Sequence, residues 1–113
     1  MAKCDQGYLC EVCGQAVPDI ADSDLYLRFV IGRVTLEALH REPERHLRCN
    51  PVLAQFIVDD EFTPVSVEDD FSKCHMDDES RRREEELVTR GWRRLQEVGE
   101  LGLSVPEYPL SDV

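Results

Sequence analysis

Cys10-Glu11-Val12-Cys13-Gly14, answered 32 residues later by His46-Leu47-Arg48-Cys49, is the pair of stretches on which the reading of this chain turns. Two cysteines separated by two residues can aim both sulfurs at one ion, while the amides of the turn between them soften the thiolate charge. Gly14 permits the positive φ that such a turn often needs. In the second stretch His46 and Cys49 stand at i and i+3, so on a helix the imidazole and the thiolate share a face. The four side chains offer three sulfurs and one nitrogen, a closed tetrahedral set of the kind that holds structural zinc. The sequence therefore predicts a metal centre of Cys10, Cys13, His46 and Cys49 with zinc as the cofactor, although a sulfur-rich tetrahedral set also suits iron.

Other residues compete for these places. Cys4 with Cys10, Cys13 and Cys49 would make an all-sulfur site, but its offset from Cys10 is looser than a knuckle. His40 could replace His46, yet it reads as the solvent side of its own short helix. Cys74-His75, near Asp77 and Asp78, resembles part of a second metal site. Adjacent residues seldom both reach one ion, so a loop cysteine beside a histidine is the simpler reading. A redox role for Cys10 and Cys13 would want the pair at a helix N-terminus after a strand, and residues 1–9 offer no convincing core strand. No catalytic residue is expected: there is no phosphate-cradling glycine loop and no His-Glu-x-x-His helix.

The bulk composition agrees with a small folded domain. Hydrophobic residues make up 42% of the 113 and charged residues 33%, which suits a folded, very soluble chain rather than a disordered one. Such a chain buries roughly two thirds of the surface it exposes when unfolded, and a metal cross-link adds to a modest core. The net charge of −11 and pI near 4.6 set its average field against polyanions, so neither nucleic acid nor an anionic membrane surface is expected as a partner. The densest basic run, Arg81–Arg83, is followed at once by Glu84–Glu86. No apolar run approaches the roughly 20 residues of a membrane helix. Met1–Gln6 lacks the apolar core of a secretory signal. The expected location is therefore cytoplasmic, where paired cysteines serve metals rather than disulfides.

Along the chain the expected organisation is a metal-binding core over residues 1–58, an acidic linker over 59–78, a helix over 79–99 and an extended tail over 100–113. Leu25, Leu27, Phe29 and Ile31 alternate as in a half-buried strand, with Gly32-Arg33 at a turn; the i,i+4 pairs Leu25/Phe29 and Leu27/Ile31 allow a helix, and the strand is preferred. Thr35 reads as a helix cap. Pro43 opens a short helix carrying His46 and Cys49, and Asn50-Pro51 starts a buried helix over 51–58. Val65, Val67 and Phe71 are expected to tack the linker to the core. Opposite charges four apart and an apolar stripe of Val88, Trp92, Leu95 and Val98 mark the last helix.

A knuckle near the N-terminus, an insert of β character and ligands on a following helix resembles the treble-clef group of zinc modules over about residues 4–58. That resemblance implies a metal-held structure serving many functions; the chain departs from it at Asn50-Pro51, where a new helix begins directly after Cys49. The fold expected is α+β: a small zinc-stabilised domain with a C-terminal amphipathic helix. The function expected is protein interaction or scaffolding, with another protein as partner and Trp92 either an exposed anchor or the residue that docks the last helix. The alternatives are a small hydrolase with an open metal position and a nucleic-acid-associated zinc module.

Overall fold

The computed structural model describes residues 8–17 and 19–110. Cys4 lies outside them, as do the ends of the expected core and tail. The regular elements are the two-residue strands β1 (Tyr8–Leu9) and β2 (Ala16–Val17), and the helices α1 (Asp24–Val30), α2 (Pro51–Ala54) and α3 (Asp78–Leu101). Single 3-10 turns at Ile20–Asp22, Ala38–His40, Leu47–Cys49, Lys73–His75 and Val105–Glu107 link them. The domain is helix-rich, and α+β holds only in a loose sense, since the strands form a minimal antiparallel pair.

Residues 25–31 are the first correction: they form a helix and its end, not a strand. Ser23 caps α1, its Oγ accepting from Tyr26 N at 3.0 Å. At the other end Gly32 takes φ 84, Arg33 N bonds to Arg28 O and Gly32 N to Phe29 O, a Schellman stop that only a residue at ease with positive φ makes cheaply. The alternation misled because Leu25, Tyr26, Leu27, Phe29 and Val30 are all buried. A helix buried on every side has no polar face to reveal its period.

α1 packs against α3, whose Val88, Trp92, Leu95 and Val98 are all buried. The helices meet at Gly91, where a Cβ would overlap Ile31 Cγ2 and stand 3.1 Å from Leu27 Cδ1. Leu53, Phe56 and Ile57 extend the same apolar cluster, although α2 itself stops at Ala54. On the surface of α3, Arg83 pairs with Glu79, while Arg81 reaches back to Asp78 at 3.1 Å.

The acidic segment is sewn to this body at Val65, as expected, and at points the sequence did not mark. Phe62 is buried, edge-on to Trp92 with centroids 5.6 Å apart, and the Arg48 guanidinium lies over its ring. Val65 packs against the core, but Phe71 is 67% exposed. It is the backbone there that is anchored: the buried Gln55 carboxamide donates to the carbonyls of Phe71 and Val52 and accepts from Lys73 N. Beyond α3, Arg94 donates to the carbonyls of Glu107 and Tyr108, and Leu110 N bonds to Val30 O. Among the described residues no helix is long and apolar enough to cross a membrane.

Gly91→Ala tests the helix crossing. Overpacking costs about 1–3 kcal/mol against a gain of about 1 kcal/mol in helix propensity, so the urea midpoint is expected to fall. A midpoint at or above that of the wild type would mean the helices separate without cost.

Candidate metal centre

The minimal hairpin presents the first pair of thiols. Tyr8 pairs with Val17 and Leu9 with Ala16; Cys10 N then bonds to Gln15 O at 2.8 Å and Gly14 N to Cys10 O at 2.9 Å. Gly14 has φ 74 with open space where a Cβ would stand, so the residue answers to backbone conformation and not to crowding. Val12 N points at Cys10 Sγ at 3.4 Å.

The second pair comes from one tight turn. His46 precedes the Leu47–Cys49 turn in an extended conformation and bridges to Ser23. The expected helix begun by Pro43 is absent from the described residues, and a single 3-10 turn brings positions i and i+3 together instead. Leu47, buried beneath the turn, pins it to the core. Asn50 stands at the N-cap position of α2 but does not cap it with its side chain.

Cys10, Cys13, His46 and Cys49 converge, each with a ligand atom within 4.8 Å of the others. His46 Nδ1 lies 3.4 Å from Cys13 Sγ and 3.8 Å from Cys49 Sγ. With metal–sulfur bonds of about 2.3 Å and metal–nitrogen bonds of about 2.0–2.1 Å, a tetrahedral nitrogen–sulfur edge is about 3.6 Å, and the two observed edges bracket it. His46 Nε2 stands 2.9 Å from the Ala16 carbonyl. A carbonyl only accepts, so Nε2 carries a proton and donates; in the neutral ring this leaves the Nδ1 lone pair for a metal ion on the sulfur side. The same bond ties the ligand turn to the hairpin.

The electrostatics are those of a cation site. Burial opposes ionisation of Cys10, but the backbone at Cys13, His46 and Val12 and the His46 ring outweigh it and lower its pKa to about 6. Cys49 goes the other way: burial, then the neighbouring Cys10 and Cys13 sulfurs, push it up to about 11. For His46 burial is outweighed by the Cys10 sulfur and the Ala16 carbonyl, and its pKa is raised. Sulfurs this close cannot all ionise alone, and a bound cation is what would relieve them. The donor set, spacing and tautomer all fit a tetrahedral metal ion.

Other candidates stand apart. His40 is exposed in its own turn, and it is not in the cluster. Cys74 is exposed with its sulfur 3.1 Å from the Ser72 hydroxyl; among the described residues neither it nor His75 joins a group able to hold a metal. What sequence reasoning missed lies behind the ligands. Asp24 and Glu44 are buried, and Glu44 accepts from the Ser23 hydroxyl at 2.6 Å and from Arg45 N at 3.1 Å. The available signal was that Arg45 and Asn50, both polar donors, flank the ligand pair directly. Comparisons with protein-family models, curated proteins and solved structures find no match.

Metal affinity is expected to fall as pH falls. Burial and the neighbouring sulfurs favour the protonated thiol of Cys49 in the metal-free chain, and ligation needs its thiolate, so loading at neutral pH releases a proton. Calorimetric titration in two buffers of different protonation enthalpy measures this. Affinity independent of pH between 6 and 8 would contradict the assignment of Cys49 as a ligand.

Proposed function

We propose that this chain is a small acidic zinc-binding protein whose metal is structural and whose role is to bind or scaffold another protein. The observation that carries the metal reading is the convergence of three sulfurs and a histidine nitrogen, on a ring whose other nitrogen is held by the Ala16 carbonyl. Zinc is favoured because it accepts such a set with no geometric demand of its own. Four protein ligands leave no open position for water, which weighs against the hydrolase alternative. The treble-clef resemblance is supported by the hairpin knuckle and weakened by the helical insert and the single ligand turn.

The nucleic-acid alternative is weakened by where the cations go. Arg33, Arg45, Lys73, Arg83 and Arg93 are each paired with a carboxylate, which leaves the excess acids to dominate the surface. Trp92, only 8% exposed, docks α3 and offers no interface anchor. Phe71 takes that part: it is exposed, its backbone is held by Gln55, and Glu68, Asp69 and Asp70 precede it. A rigidly presented aromatic among acids suits a protein partner with a cationic surface around an apolar recess.

Native mass spectrometry and elemental analysis of protein purified without chelator are expected to give one zinc per chain, lost in Cys13→Ser and Cys49→Ser. Iron in its place would keep the site and change the metal; no metal, with the fold intact, would remove the reading. Phe71→Ala is expected to leave stability within about 0.5 kcal/mol and to weaken capture of the protein partner at least about tenfold. Undiminished capture would place the interface elsewhere.

A further inference from the structure

The ligand turn His46–Cys49 is bracketed by Arg45 and Asn50, and both neighbours donate to one carboxylate. Asp24, at the start of α1, is completely buried. Its Oδ2 accepts from Arg45 Nε at 3.1 Å and from the Arg45 guanidinium again at 2.9 Å, and its Oδ1 accepts from Asn50 Nδ2 at 2.7 Å. Asp24 N in turn donates to Arg45 O at 2.9 Å. The first ligand pair is fastened to the same point: Arg45 also reaches Glu11 Oε2 at 3.5 Å, and Glu11 N donates to Glu44 O at 2.9 Å.

We propose that Asp24 is the positioning residue of the metal centre, holding both ligand pairs at bonding distance before the ion arrives. The proposal rests on the zinc reading above. If Asp24 served only the helix, its bond to Arg28 one turn along, at 3.0 Å, would be sufficient. Asn50 instead sits where a side chain would cap α2, forgoes that bond and turns to Asp24. The carboxylate thus clamps the residue before the first ligand of the turn and the residue after the second. Outer groups that orient ligands in this way govern affinity as well as shape.

The test uses the full chain and measures Zn²⁺ affinity by chelator competition beside the visible spectrum of the Co²⁺-loaded protein. Asp24→Asn is expected to weaken Zn²⁺ binding by about 100-fold and Asn50→Ala by about 10-fold, each with altered cobalt ligand-field bands. Val88→Ala, a core truncation on α3 away from the ligands, is expected to lower stability while leaving both readouts as in the wild type. If Asp24→Asn does not fold, Asn50→Ala decides. Wild-type affinity and spectrum in Asn50→Ala, or equal weakening by Val88→Ala, would overturn the proposal. A wild-type chain that takes up no metal would instead overturn the zinc reading on which it rests.

Discussion

The buried carboxylate of Asp24 is the interaction on which the arrangement around the ligands depends. It sits in the first turn of α1, where a negative charge suits the helix dipole, and receives Arg28, Arg45 and Asn50. A charge with no exposure has to be fully satisfied, because stripping one partner from a buried pair leaves the other stranded at about 3–5 kcal/mol. That penalty forces the chain to return to α1 at residue 45 and again at residue 50. The loop between, which contains both later ligands, has little freedom left.

The domain divides into a body that supports itself by apolar burial and a corner that does not. The helices α1 and α3, with the residues after Cys49, bury leucines, valines and aromatics in one cluster. The hairpin at the N-terminal corner pairs only two residues per strand, far below what stands alone in water. Among the described residues its links to the body include Glu11 to Glu44 and Arg45, Ala16 to His46, and the buried Val17 and Cys10. A metal at this place therefore acts locally, fixing a corner to a scaffold already formed.

The grouping of Cys10, Cys13, His46 and Cys49 was legible because metal chemistry demands particular atoms at particular spacings, and Cys-x-x-Cys with His-x-x-Cys meets that demand in the sequence alone. The long helix was legible for a similar reason: charge pairs and the Val88 to Val98 stripe are local patterns. The strand reading of 25–31 failed where tertiary burial erased the amphipathic pattern. Phe62 and Phe71 could not be ranked from sequence, since what separates them is Trp92, thirty residues on. Asp24 and Glu44 were invisible because each looks like one more surface acid in a chain with 24 of them.

Gly91 has a consequence for uniqueness. Residues four apart share a helix face, so sliding α3 by one turn along α1 would bring Leu87 or Leu95 to the place where Ile31 and Leu27 leave room only for a hydrogen atom. Neither fits, and the helix has a single seating. Because α3 also carries Arg93 to Asp59 and Arg94 to the carbonyls near the C-terminus, that one seating indexes both flanking segments. A missing methyl group thus works as the notch of a key, favouring this packing over one shifted by a turn.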